Sequence, residues 1–369
     1  MANSDILELS EDGKTVIGVK DLWVKSITIP DGVTGIGDRA FYCCPSLQSI
    51  DIPNSVTEIG SSAFYCCSSL QSIDIPNSVT IIGDNAFYSC SSLQSINVSK
   101  NNKHFASVDG ILFNKDLTTI VRFPQKYDVK EYVIPDSVTQ IGKNAFSGCP
   151  SLQRIDIPDS VTKIGDSAFS GCSSLQSIDI PNSVTEIGYS AFWCCSLQSI
   201  DIPDSVTEIG DWAFMFCSSL QSIDIPNSVT EIGWHAFEGC SSLQSIDIPN
   251  SVTEFGWHAF EGCSSLQSID IPNSVTEIGS SAFSGCSSLQ SIDIPNSVIK
   301  IGRWAFGGCN SLEHIYLHYN DVNRLMVDWN IFEKVDFDKC ILHIPSGTRW
   351  AYRHHDVFKR FKNIVTTGF

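Results

Sequence analysis

Three kinds of side chain in this sequence could do chemistry: thiols, carboxylates and imidazoles. The chain carries 15 cysteines, 41 Asp plus Glu and 8 histidines. Eleven of the cysteines, from Cys44 through Cys309, recur at one position of a repeat. Zinc-binding thiols come in close pairs such as C-x-x-C, and these lie a whole repeat apart. Stacked strands about 4.8 Å apart would bring the sulfurs near one another. Parallel Cβ vectors nevertheless suit a disulfide badly. The spacing predicts a ladder of reduced, buried thiols that pack as small hydrophobes, which fits a reducing or anaerobic setting. Cys43, Cys66 and Cys194 are extra, and Cys43 and Cys66 could meet on adjacent turns.

The carboxylates also form a column. Asp179, Asp201, Asp224, Asp247, Asp270 and Asp293 share one repeat position, as do Asp51, Asp74 and Asp156 nearer the start. A calcium ion wants about six to eight oxygens around it, and a flat row of single carboxylates does not supply them. The column reads as a solvated face, with a surface for a basic ligand as the secondary alternative. His235 and His258 lie one repeat apart, and a metal site on the pair is only a minor alternative. His354 and His355 are adjacent and would point apart on a helix. No P-loop, G-x-S-x-G, H-E-x-x-H or dinucleotide fingerprint is present. The expectation is a protein with no catalytic residues, no cofactor and no metal.

Aromatic residues mark the third candidate. The repeats are so alike that positions which differ stand out. Around the Ala-Phe step, the later units replace small polar residues with Tyr189, Trp193, Trp212, Met215, Phe216, Trp234, His235, Trp257 and His258, and Trp304 follows. Tyr42, Tyr65 and Tyr88 make a smaller column. Stacking would align equivalent positions into a patch, and exposed aromatic clusters are favourable binding anchors. The candidate protein-binding set is Tyr189, Trp193, Trp212, Phe216, Trp234, His235, Trp257 and His258. The plainer alternative is that they pack on one another and shield the turns.

The element that must position all of these is the repeat itself. Ile-Pro recurs with a step of 23 residues from Pro30 to Pro76 and from Pro135 to Pro295, with one step of 22 where a Ser is missing after Cys195. In a typical unit, Leu243, Ile246 and Ile248 fit the L-x-x-L-x-L strand signature. Alternation turns Ile246 and Ile248 inward and Ser245 and Asp247 outward. Pro249 ends the strand by removing a donor. Val252 and Phe255 point inward from a second extended piece, and Ala259-Phe260 is expected to open a short helical or 3₁₀ segment. One unit cannot bury enough to fold alone, but stacking supplies a continuous core. The predicted fold is a leucine-rich-repeat solenoid: a stack of parallel strands with short helical and extended segments, capped at both ends.

The pattern divides the chain into an N-terminal β-hairpin cap over 1–29, a solenoid of about 11 repeats over 30–311, and an irregular last repeat with a helical cap over 312–369. The solenoid is interrupted by an insert at 98–133, in which Asp109-Gly110 between apolar runs signals a hairpin. The segment from Gly347 to Val365 reads as helical in character.

Net charge is −18, so a phosphate backbone would be repelled and nucleic acid is not an expected partner. Between Ser151 and Ser311, 18 acidic residues face 4 basic ones, which points to a basic partner or to non-ionic contacts. No apolar run is long enough to span a membrane. The residues after Met1 show no secretory signal, which implies either a cytoplasmic protein or a signal already removed.

The pattern I-P-x-S-V-T-x-I-G-x-x-A-F-x-x-C-x-S-L, as at Ile134–Leu152, resembles the BspA-like leucine-rich-repeat family of bacterial surface proteins. So do the inserted Asp109-Gly110-Ile111-Leu112-Phe113 and the closing Ile344-Pro345-Ser346-Gly347-Thr348-Arg349. The resemblance implies adhesion to host matrix proteins such as fibronectin and fibrinogen, and a place on the cell surface or in the secreted fraction. The expected function is therefore a protein-binding module, a bacterial surface adhesin that recognises a protein or glycoprotein of the host extracellular matrix or cell surface. An intracellular interaction scaffold or regulator without catalytic activity is the alternative.

Overall fold

Each repeat spends its residues on three sides of a turn. In the computed structural model, which describes residues 6–368, the chain falls into two units, Met1–Leu175 and Gln176–Phe369. Both are parallel stacks of short strands with almost no helix.

In the first unit, Leu7–Leu9 pairs antiparallel with Thr15–Val19. Thr15–Val19 then pairs parallel with Gly35–Ile36, and the sheet continues through Glu58–Ile59 to Ile81–Ile82. On a second side, Ser26–Thr28 pairs with Ser49–Asp51, and Ser72–Ile75 with Ser95–Val98. The insert folds as a hairpin of Phe105–Val108 and Ile111–Asn114. Its two-residue loop is Asp109-Gly110, with φ of 50° and 80°, as a type I′ turn requires. Thr119–Arg122 pairs antiparallel with that hairpin and parallel with Gln140–Ile141, which returns the chain to the repeat.

In the second unit one side is a six-stranded parallel sheet: Glu208–Ile209, Glu231–Ile232, Glu254–Phe255, Glu277–Ile278, Lys300–Ile301 and Met326–Val327. The other strand side holds Ser199–Asp201 paired with Ser222–Asp224, bridges Asp224↔Asp247 and Asp270↔Asp293, and a sheet running from Ser291–Ile294 to Asn363–Thr367. The core between them is a column of buried Leu, Ile, Val, Ala, Cys and Phe. Phe214, Phe237, Phe260, Phe283 and Phe306 stack with centroids 5.3–5.5 Å apart and planes within 7°, because the rung repeat sets each ring on the last.

Two local expectations differ from what is seen. The Ala-Phe segment is a run of turns, not a helix. Its amides alternate between two jobs. Ala213, Met215 and Cys217 donate back three residues, to Gly210, Trp212 and Phe214, while Trp212, Phe214 and Phe216 donate across to Trp234, Ala236 and Glu238 of the next rung. A helix would spend all of them within one turn. At the C-terminal end only Arg349–His354 is α-helical and Phe358–Arg360 is a single 3₁₀ turn. The residues after them, Asn363–Thr367, form a strand that pairs parallel with Ile341–Pro345. An open strand edge leaves amides and carbonyls without partners, and Ile364, Val365, Thr366 and Thr367 favour the extended form that covers it.

Candidate interaction surface

The turn edge of the second unit gathers most of the aromatic candidates. In every regular rung the residue before Ala-Phe sits at positive φ, including Trp212 (56°), His235 (55°) and His258 (59°). At this left-handed corner the Trp212, His235 and His258 side chains are half-buried, and successive rungs bring them into ring contact. Tyr189 meets Trp212 edge-on at 4.5 Å, Trp212 lies 5.6 Å from His235, and His235 stacks on His258 at 4.6 Å. Beside them Trp234 stacks on Trp257 at 5.2 Å and 8°, and these two rings are 49% and 52% exposed. Each imidazole is tied to a carboxylate one turn on: His235 Nδ1 to Glu238, and His258 Nδ1 to Glu261. The Asp211 carboxylate accepts from the Trp234 amide at 2.7 Å and braces the corner.

Trp193 and Phe216 lie on the other limb of the same turns and are exposed, but among the described residues neither shares a ring contact with that row. Phe216 stands at φ 60° where other rungs carry Gly239, Gly262, Gly285 and Gly308. Its ring fills the space above Gly239, where an added Cβ would come within 2.3 Å of Phe216 Cδ1. Trp304 sits beside the Arg303 guanidinium, 5.0 Å from the ring centre. In the first unit Tyr42, Tyr65 and Tyr88 stack at 4.9 and 5.2 Å.

Asp179, Asp201, Asp224, Asp247, Asp270 and Asp293 are all exposed on the strand face. Asp201 and Asp224 are in register, and Asp293 pairs with His318 Nε2 at 2.6 Å. Among the described residues no group of three or more His, Cys, Asp or Glu is placed to hold a metal ion. His354 and His355 diverge: His354 stacks on Trp350 and His355 packs on Phe358.

A second acidic column escaped the sequence reading. Glu208, Glu231, Glu254 and Glu277 are in register on the six-stranded sheet, and Lys300 closes the row with an ion pair to Glu277. The signal was the Glu of V-T-E-I, outward by alternation before an inward Ile. Partial burial, then Glu254, Glu208 and Asp211, push the Glu231 carboxyl above its ordinary pKa. Trp234 lies three positions after Glu231, a span of at most about 10 Å. Carboxylates and indoles therefore line one edge together.

All fifteen cysteines are free thiols. The ladder thiols do more than fill space: Cys217, Cys240, Cys263 and Cys286 donate to the carbonyls of Phe192, Phe214, Phe237 and Phe260 on the preceding rung, at 3.0–3.2 Å. Burial pushes the Cys217, Cys263 and Cys309 thiols up to about 12.

A parallel-strand stack with an inward Leu-Ile ladder, a Phe spine and an elaborated outer edge defines a leucine-rich-repeat protein. Residues 20–126, 120–242 and 208–334 match the BspA type leucine rich repeat region, and the chain belongs to that family. Its fold is typically non-catalytic, and leucine-rich-repeat proteins generally act as protein-interaction modules. The chain is similar to a leucine-rich repeat protein from Eubacterium ventriosum (25% identity, TM-score 0.61, 73% of this chain and 88% of that one). It is similar to one from Bacteroides ovatus (29%, TM-score 0.58, 98% and 97%). It is also similar to a leucine rich cell surface protein from Faecalibacterium prausnitzii (30%, TM-score 0.52, 98% and 93%). A comparison with curated proteins finds no match. Among the described residues no helix is long and apolar enough to cross a membrane.

Proposed function

We propose that this chain is a bacterial surface adhesion protein that binds a host matrix or cell-surface protein or glycoprotein on the aromatic turn edge of its second unit. The observation that carries the reading is the half-exposed Trp234–Trp257 stack, set in a row with Tyr189, Trp212, His235 and His258. Rigid, partly desolvated aromatic pairs are the usual centre of a binding hot spot. Phe216 stands on the same edge at a position that several other rungs fill with glycine, and its exposed ring adds apolar surface there. The neighbouring Glu208, Glu231 and Glu254 favour a partner with basic groups. The Faecalibacterium relative is described as a cell surface protein, which supports that location here.

The test is surface plasmon resonance of the full chain against immobilised fibronectin and fibrinogen. Trp234→Ala with Trp257→Ala should weaken binding by at least about 30-fold, as hot-spot truncations do. Equal binding by parent and variant would move the site to the column Asp179–Asp293. No binding by the parent would remove the matrix reading. The intracellular scaffold is favoured by one observation, that all fifteen cysteines are free; recovery of the native protein in the soluble cytoplasmic fraction would favour it further.

A further inference from the structure

The insert opens a gap in the turn edge of the first unit. In regular rungs the alternate amides of each Ala-Phe turn donate to the next rung: Ser62 to Asp84 and Phe64 to Ala86, both at 2.8 Å. Asn85 and Phe87 hold the same repeat positions one rung on. Among the described residues their amides have no acceptor, because the insert stands where the next turn would be. Between this turn and the one at Ala145-Phe146 lies a cleft of about 160 Å³, lined by Gly83, Asn85, Phe87, Tyr88, Arg122 and Lys143 among others.

The insert sets Arg122 in the floor of that cleft. It is only 4% exposed. Its Nη1 donates to the Asn144 carbonyl at 2.5 Å and its Nη2 to the Ser147 carbonyl at 3.1 Å, while Nε has no partner. The Tyr88 ring lies 6.0 Å from the guanidinium. Neutral carbonyls and a ring face meet this cation, and no carboxylate does. The nearest acid on the cleft wall, Asp84, is an exposed rim residue already paired with Lys143 at 3.5 Å. A buried charge without a counter-ion is unfavourable, and burial accordingly lowers the Arg122 pKa.

We propose that this cleft is a binding site for a small oxyanion, a carboxylate or a phosphate, held between the free Asn85 and Phe87 amides, the Arg122 charge and the Lys143 ammonium. Room for about five waters suits a group of that size and excludes a nucleotide. Carboxylate and phosphate oxygens share the chemistry that the site selects, which is negative charge directed at N–H donors. In a chain of net charge −18, positive charge is here buried rather than displayed.

The experiment titrates the full chain with sodium acetate and, separately, with inorganic phosphate, each against sodium chloride at equal ionic strength. The amide resonances of Asn85 and Phe87 are followed with the melting temperature. A saturable shift of both amides with at least one of the two anions, with a matching rise in melting temperature, is expected. The stronger of the two identifies the oxyanion class. Lys143→Met, at an exposed rim position, should weaken the apparent affinity about twofold to fivefold, and Arg122→Met should abolish it. If Arg122→Met does not fold, the parent shifts and Lys143→Met still decide. Shifts no different from chloride, shifts that never saturate, or an unchanged affinity in Lys143→Met would overturn the proposal.

Discussion

At the scale of single residues, the thiol ladder and the Glu column show how a repeat multiplies a small choice. Most ladder thiols give a weak hydrogen bond to a buried carbonyl, such as Cys240 Sγ to Phe214 O at 3.2 Å, and add packing at no cost in polarity. Burial suppresses the thiolate, which is the reactive form. Iodoacetamide applied to the native protein should therefore label Cys43, Cys66 and Cys194, which are half-buried, and leave the ladder untouched. Peptide mass mapping checks this, and an adduct on Cys240 under native conditions would contradict it. Glu231 makes the opposite point, because partial burial and then its neighbouring carboxylates raise its pKa in the folded state. The folded protein then holds the proton more tightly than the unfolded chain. This group destabilises the fold once pH rises through the raised pKa, and the penalty disappears below the ordinary carboxylate value. Glu231→Gln should raise the melting temperature near pH 7 and leave it unchanged below about pH 4. An equal gain at both pH values would assign the effect to packing instead.

At the scale of elements, the regular rungs close their Pro-to-Val turns on one another, as when Ser251 Oγ donates to the Val229 carbonyl at 2.5 Å. Where no regular successor follows, another residue takes over. Asn102, 1% exposed, donates to the Pro76 and Val79 carbonyls at 2.9 Å and accepts from the His104 and Phe105 amides at 2.8 Å. Tyr319 gives its hydroxyl to the Pro295 and Val298 carbonyls at 2.8 and 2.6 Å in the last repeat. Asn102→Leu and Tyr319→Phe should each cost about 1–3 kcal/mol in urea unfolding, the penalty for buried polar groups left unpaired. A loss under about 0.5 kcal/mol for both would show the turns close without them. The period, the inward Leu-Ile ladder and the Asp109-Gly110 hairpin are legible in the sequence, since periodicity and turn chemistry are local. Asn102 and Tyr319 are not, because a polar residue in a loop gains this role only when the rung beside it is irregular. The left-handed corners are hidden for a related reason. Trp and His are poor choices at positive φ, and hydrogen bonds between rungs, such as Trp212 N to the Trp234 carbonyl and His235 N to the Trp257 carbonyl, help to hold them there. The aromatic residues were therefore visible as exceptions to the repeat, while their order as a stacked row came from the corner geometry.

At the scale of the whole molecule, net charge and function pull against each other. The net charge is −18, and the Asp and Glu columns within it are repulsive in the folded state, at about 0.8 kcal/mol for two unit charges about 5 Å apart in water. At low ionic strength each carboxylate also feels those two and three rungs away. Raising salt from about 10 mM to about 150 mM shortens the screening length from about 30 Å to about 8 Å, which removes all but the nearest-rung terms. The melting temperature should therefore rise over that interval and level off beyond it, and Glu231→Gln should show a smaller rise. Binding of a basic partner to the same edge must respond in the opposite sense, because the attraction that brings it in is screened by the same ions. Affinity measured across the same salt series should fall while stability climbs. If affinity holds level, the aromatic stack recognises its partner without help from the carboxylates, and if stability holds level, Lys300, His318 and the other basic groups already offset the columns.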